Sequence, residues 1–213
     1  MVGTDSAPTR DIAAGLIAQG HRVIPISVGS RAEWGVWASE GVLYDDIDNN
    51  GFSLDLKPIL TLPGAHNWQN ACAAFAACRA LGLAPQQIAA GIATYPGLAH
   101  RQERVAVIDG IAYVNDSKAT NADATEKALS SYDTIYWIAG GRPKEGGIAP
   151  LAPLFRRVVH AFLIGEASDE FAATLQGKVA FTKSGDLAHA VQAAHALAQR
   201  DKRPGAVVLL SPA

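Results

Sequence analysis

The chain has 213 residues, 49% of them hydrophobic and 18% charged, enough to bury one good core or two modest ones. Eighteen Lys and Arg against twenty Asp and Glu leave a formal net charge of -2, so no global field draws the chain to nucleic acid or to an anionic membrane, and neither is an expected partner. No stretch approaches the ~18 consecutive apolar residues of a spanning helix, and residues 1–10 lack the apolar segment of a secretory leader, so a cytoplasmic location is expected.

Ile12, Leu16 and Ile17 give residues 11–19 a helical apolar pattern, with Gly20 suited to its end. Residues 21–28 are a strand candidate interrupted by Pro25. From 29 to 58 the signal weakens to short strand-like pieces at 35–38, 42–44 and 52–56, separated by Asp, Asn and Gly residues, which reads as a small antiparallel edge with a tight turn. An Ala-rich helix at 67–81 and another at 85–95 follow as a helical hairpin, with Gly82 and Pro85 as stop and start. Cys72 and Cys78 lie six apart on the first of these, pointing in different directions, and are expected to be free thiols of a reducing compartment.

Beyond Gly97 the pattern becomes regular. Strands are expected at 105–114, 134–139, 158–164, 178–181 and 206–210, and helices at 122–131, 148–156, 168–175 and 186–199. The alternation predicts an α/β fold: a Rossmann-like, mostly parallel sheet joined by right-handed crossovers with helices on both faces. The boundary near 95–98 separates residues 1–97 from 98–213. His160, His189 and His195 have no partners at metal-ligand spacing and read as structural or exposed. No Gly-x-Gly-x-x-Gly follows a predicted strand, which argues against a dinucleotide-dependent dehydrogenase.

The segment Asn115-Asp116-Ser117-Lys118-Ala119-Thr120-Asn121 packs carboxylate, amide, hydroxyl and ammonium groups directly behind a strand. In open α/β sheets such strand-to-helix loops lie at the carboxyl ends of the strands, where ligands bind, although the same residue types also build ordinary capped turns. Three further clusters accompany it: Gly64-Ala65-His66-Asn67-Trp68-Gln69-Asn70, Gly97-Leu98-Ala99-His100-Arg101-Gln102-Glu103, and Trp137-Ile138-Ala139-Gly140-Gly141-Arg142-Pro143-Lys144-Glu145-Gly146-Gly147. In this order the four clusters resemble the Mur ligases, over residues 61–213 and more weakly back to Met1. Where related ligases usually carry an Asp-Tyr-Ala-His or Asp-Gly-Ala-His type sequence, this chain has Asp116-Ser117-Lys118-Ala119-Thr120, which resembles the branch that adds D-glutamate.

The resemblance implies an ATP-dependent ligase that joins D-glutamate to UDP-N-acetylmuramoyl-L-alanine through an acyl phosphate, with Mg2+, in peptidoglycan synthesis and as a monomer. Such a reaction rests on positioning and on charge stabilisation around the transferring phosphoryl group. Residues 1–97 then correspond to the back portion of a central ATPase domain and 98–213 to the carboxy-terminal ligand domain. By the resemblance, Asn70 holds the adenine, Arg101 reaches the phosphates and Asp116 the nucleotide's ribose. Lys118 and Thr120 grip the D-glutamate carboxylates, Lys144 also serves the D-glutamate side, and Lys118 and Lys144 are the expected catalytic residues. Read without the resemblance, Arg101 could equally pair with Glu103 or Asp109, Asn67 caps its helix, and Lys118 is a solvated lysine. Arg142 and Glu145 are expected to be solvated neighbours of Lys144.

Two parts of the family pattern are missing. No Gly-Thr-x-Gly-Lys-Ser/Thr phosphate loop and no metal ligands precede Gly64. Val2-Gly3-Thr4-Asp5-Ser6 resembles a later part of that domain. At the other end the sequence stops at Leu209-Leu210-Ser211-Pro212-Ala213, where the family continues into a Cys-Ala-Ser and Asp-Gln-Phe segment. The expectation is therefore a fragment that by itself does not turn over ATP, with the Mg2+ ligands elsewhere. Two other readings stand beside it: a non-catalytic nucleotide-binding module, and another amino-acid-adding ligase of the Mur or folylpolyglutamate type.

Overall fold

The computed structural model describes residues 1–48, 51–142 and 146–213, and the chain divides into two units, Met1–Pro96 and Gly97–Ala213. Each has its own sheet.

In the first unit the order is β1 (Val2–Gly3), α1 (Ala7–Ala18), β2 (Pro25–Ser27), β3 (Val36–Ser39), β4 (Val42–Asp45), β5 (Phe52–Asp55), α2 (Ala65–Ala80) and α3 (Pro85–Ala93). β1, β2 and β3 run parallel and β3, β4 and β5 form an antiparallel meander. The β3–β4 turn places Glu40 at φ 49° and Gly41 at φ 80°, a two-residue left-handed turn whose twist matches the strands it joins. α1 begins four residues before the expected start because Ser6 caps it, accepting from Thr9 N at 3.4 Å, with Pro8 in the first turn. The expected 21–28 strand shrinks to Pro25–Ser27. α2 and α3 form the expected hairpin, with Gly82 at φ 87° between them. Val36, Leu43, Leu56, Cys72, Phe75 and Ala76 are fully buried at the centre of this unit.

The second unit begins with the hairpin β6 (Glu103–Ile108) and β7 (Ile111–Asn115). The apolar run at 105–114 is thus two antiparallel strands, because Asp109 at φ 52° and Gly110 at φ 80° reverse the chain. Then follow α4 (Ala122–Ser131), β8 (Thr134–Gly140), a 3-10 helix (Ala149–Arg157), β9 (Val158–Ile164), α5 (Ser168–Leu175), β10 (Phe181–Gly185), α6 (Leu187–Asp201) and β11 (Ala206–Leu210). Pro153, inside the segment, donates no backbone bond and accounts for the 3-10 geometry where a helix is expected, while Pro150 stands in the first turn, where no donor is needed. β10 starts three residues later than its expected position.

The sheet order is β10-β9-β8-β11-β7-β6, parallel except for β6. After β10 the chain returns through α6 to insert β11 between β8 and β7. Alternation along the central strands sorts two apolar faces. Ile135, Trp137, Ala139, Val207 and Leu209 meet α4, the 3-10 helix and α5, whereas Tyr136, Ile138, Ala206 and Val208 meet Ala190, Ala194 and Ala198 of α6. Helices on both faces of a mostly parallel sheet are thus realised, and the carboxyl ends of β7, β11, β8 and β9 lie side by side. Among the described residues no helix is long and apolar enough to cross a membrane.

Candidate functional site

The loop after β7 is both a capped turn and a presentation surface. Asp116 N donates to Leu210 O of β11 at 2.8 Å, Ala119 N donates to Asp116 O at 2.9 Å, and Ser117 N donates to Asn115 Oδ1 at 3.1 Å. Asn121 caps α4, accepting from Ala124 N at 2.9 Å. The side-chain oxygens of both asparagines are therefore spent on backbone N–H groups, while Lys118 and Thr120 are exposed.

A second loop is stitched to the first. His100 and Gln102 take left-handed φ values of 64° and 45°. His100 O accepts from Lys118 N at 3.1 Å, and Gln102 N donates to Asp116 Oδ1 at 3.1 Å. Glu103 Oε2 accepts from His100 N at 2.9 Å and from Asn115 Nδ2 at 3.3 Å, and Asn115 Nδ2 also stands 2.9 Å from His100 Nδ1. Arg101 lies between these anchors with its side chain exposed. The two acids that could have paired with it are held elsewhere, Glu103 as above and Asp109 by Gln199 Nε2 at 2.7 Å, so its fork faces solvent.

Asp116 is the buried member of the group, 6% exposed. Its Oδ1 accepts from Gln102 N, and its Oδ2 accepts from Ser211 Oγ at 3.0 Å. Burial pushes this carboxyl above its ordinary range, while the Gln102 N–H, the Ser211 hydroxyl and the charge of Arg101 pull it back. The ribose contact expected of Asp116 thus falls on a carboxylate whose oxygens each already have a protein donor, leaving only spare lone pairs for a ligand. Sequence reasoning did not find Ser211, Thr125 or Gln102. A Ser-Pro closing an apolar strand and a Thr inside a helix carry no signal of their own.

The third loop follows β8. Gly140 N donates to Pro212 O at 2.9 Å, Gly141 N to Ile164 O at 3.0 Å, and Ala167 N to Gly141 O at 3.0 Å. Gly140 has φ 128°, and a Cβ there would stand 3.0 and 3.1 Å from the C and N of Ile164 and closer still to its carbonyl oxygen, so glycine is required for the two loops to approach. Arg142 is exposed, as expected. Lys144 and its neighbour Glu145 lie outside the described residues.

Asn70 belongs to the first unit, exposed on α2. Gly64 with φ 82°, and not Asn67, occupies the cap position of that helix. Asn67 lies in its first turn and donates to Pro63 O at 2.8 Å. The preceding residue to Asn70, Gln69, donates to Asp5 Oδ2 at 2.6 Å, and Asp5 also accepts from Ser27 Oγ at 2.6 Å and from Gly29 N at 3.1 Å. Burial pushes Asp5 up, yet these bonds and one from Val28 N together hold it below the usual carboxylate range. The three histidines read as structural have protein partners: His160 with Thr182, His189 with Asp186 and His195 with Tyr113. Both cysteines are free, Cys72 buried with its thiol pushed up to about 12 by burial. Among the described residues no three His, Cys, Asp or Glu side chains gather to hold a metal. The described residues do not fit a Mg2+ site by themselves.

The chain is 61% identical over its whole length to the UDP-N-acetylmuramoylalanine--D-glutamate ligase of Paramagnetospirillum magneticum, covering 46% of that protein. Over 91% of its length it is 54% identical to the ligase of the same name from Rhodospirillum rubrum, covering 41% of it. The chain thus spans about half the length of the curated relatives it matches. In fold it is similar to MurF from Acinetobacter baumannii, with a TM-score of 0.66 and 18% identity over 99% of this chain and 48% of that one. It is also similar to UDP-N-acetylmuramate-alanine ligase MurC from Thermotoga maritima, with a TM-score of 0.60 and 15% identity over 89% of this chain and 44% of that one. The model of the "Mur ligase, glutamate ligase domain" matches residues 100–213, over half of the sequence, and the chain belongs to the Mur ligase family.

Proposed function

We propose that this chain is part of an ATP-dependent ligase that adds D-glutamate to UDP-N-acetylmuramoyl-L-alanine, residues 1–96 being the back portion of its ATP-binding domain and 97–213 its amino-acid-receiving domain. The observation that carries this reading is the stitched pair of loops at the carboxyl end of β7, which holds Asp116 in place and leaves Arg101 exposed on one loop and Lys118 and Thr120 exposed on the other. The names and identity of the relatives support the choice of amino acid.

In this reading ATP phosphorylates the muramoyl-alanine carboxylate, the amine of D-glutamate attacks the acyl phosphate, and ADP and phosphate leave. Arg101 offers a planar fork to phosphate oxygens. Lys118 and Thr120 offer an ammonium and a hydroxyl to the two carboxylates of D-glutamate, and Asp116 offers its spare lone pairs to a ribose hydroxyl. Lys144, which follows the glycines of the third loop, adds a cation on the D-glutamate side. Asn70 has the paired donor and acceptor that an adenine edge requires. Mg2+ would shield the transferring phosphoryl group, and its ligands would come from outside the described residues.

The test uses a polypeptide of the relatives' full length that carries this segment. With ATP and UDP-N-acetylmuramoyl-L-alanine, labelled D-glutamate should enter the product and other amino acids should not. Incorporation of a different amino acid would move the chain to another ligase of the family. ADP binding without any incorporation would replace the ligase reading with a nucleotide-binding module.

A further inference from the structure

Resting on the nucleotide role proposed for Asp116, we propose that Ser211 is the positioning residue for that carboxylate, and that Thr125 orients Ser211. Both side chains are fully buried. Ser211 Oγ lies 3.0 Å from Asp116 Oδ2 and 3.0 Å from Thr125 Oγ1. Ser211 Oγ is the donor toward both, so its one hydrogen is shared between Asp116 Oδ2 and Thr125 Oγ1, and the two acceptors fix the rotamer of the hydroxyl. The hydroxyl at the end of β11 therefore bridges the loop after β7 and the middle of α4.

The backbone of Ser211 is fixed just as tightly. Its N donates to Ile138 O of β8 at 3.1 Å, and its O accepts from the buried Trp137 Nε1 at 2.9 Å. On the opposite side, Gln102 N holds the other Asp116 oxygen. A carboxylate gripped at both oxygens by groups that cannot themselves move has its plane set before any ligand arrives, which is the condition for precise contact. Ser211 lies 95 positions from Asp116 in sequence, and only the insertion of β11 beside β7 brings them together. The other charged or titratable groups that act on this cluster are Arg101, which pulls the Asp116 carboxyl down, and Tyr132, whose phenol is pushed up to about 12 by burial and then by Asp116, with Arg104 opposing.

The test follows the Asp116 side-chain carboxyl by carbon-13 NMR across an acid titration of the 213-residue chain, with thermal unfolding as the measure of general damage. Loss of a hydrogen bond to a charged acceptor disfavours the charged form. Ser211→Ala should therefore raise the Asp116 midpoint by about one pH unit. Thr125→Ser, which keeps the hydroxyl, should leave the midpoint in place even if it lowers the melting temperature. An Asp116 midpoint that stays put in Ser211→Ala, or that moves equally in Thr125→Ser, overturns the proposal, since packing alone would then explain both residues. A separate arm measures ADP binding in the full-length ligase, where Ser211→Ala should weaken it about tenfold relative to Thr125→Ser. Absence of ADP binding by the unaltered full-length enzyme would remove the nucleotide reading, and an unmoved midpoint would remove the positioning claim, so the two failures are separable.

Discussion

Gly140→Ala tests the claim that the loops after β8 and β9 are built by glycine. Gly140 and Gly141 have similar backbones, φ 128° and 119°, so an L side chain at either is strained by about 1–3 kcal/mol. They differ in space. A Cβ on Gly141 meets nothing within 4 Å, whereas one on Gly140 collides with the carbonyl of Ile164, which accepts from Gly141 N at 3.0 Å. Backbone against backbone cannot be relieved by a rotamer change, so overpacking adds about 1–3 kcal/mol. The expectation is a loss of about 2 kcal/mol for Gly141→Ala and about 4 kcal/mol for Gly140→Ala, the latter a melting shift of roughly 15 °C for a unit of this size. Urea unfolding should be followed by hydrogen exchange in peptides of β8 and β9, so that the first unit contributes no signal. Equal losses in the two variants would refute the collision, and a neutral Gly140→Ala would refute the strain as well.

In the full-length ligase, Lys118→Ala should raise the KM for D-glutamate more than that for ATP, and steady-state kinetics showing equal rises would give Lys118 another role. Arg79 spans Asp45, which is 1% exposed, and Asp48. Arg79→Met should cost about 3–5 kcal/mol by leaving the Asp45 charge buried, while Arg31→Met, at a pair whose arginine is 63% exposed, should cost under ~1 kcal/mol in the same denaturation assay. Asp5 has a folded pKa below its unfolded value, so its stabilisation is present above the unfolded value and is lost as pH falls through the folded one. Stability of the first unit between pH 5 and pH 2 should accordingly fall less steeply in Asp5→Asn than in the unaltered chain, and parallel curves would show that the bonds to Asp5 do not depend on its charge.

The legible part of the fold is the part in which local pattern and tertiary environment agree. The strands Val158–Ile164 and Ala206–Leu210 and the helices Ala122–Ser131 and Ser168–Leu175 sit where their periodicity and caps place them. Elements without such agreement were misread. Val2–Gly3 is too short to show a period, Val179 and Ala180 run straight into the strand that begins at Phe181, and the β6–β7 hairpin hides in a long apolar run because its turn is only Asp109-Gly110. Pro153 is the local signal for the 3-10 geometry of Ala149–Arg157.

For the candidate site, sequence reached the loops but not what holds them. Asn115 and Lys118 are visible because polar residues cluster behind a strand and Arg101 because it matches the family pattern, yet Asn115 proves to be a brace for His100 and Ser117. The partners of Asp116 come from a backbone N–H and from a serine on the far strand, and neither belongs to a local motif. A buried acid depends on how the chain returns through α6 to place β11 against β7. Asp5 makes the complementary point. It also follows a strand and carries more hydrogen bonds than Asp116, but it lies exposed, so the same residue type is held below its ordinary range in one unit and above it in the other. Burial raises both, but more donors hold Asp5 down and deeper burial prevails at Asp116, a balance set by topology, and it is why two strand-end aspartates that read alike in sequence should respond to acid in opposite directions: protonation favours the folded state at Asp116 and opposes it at Asp5.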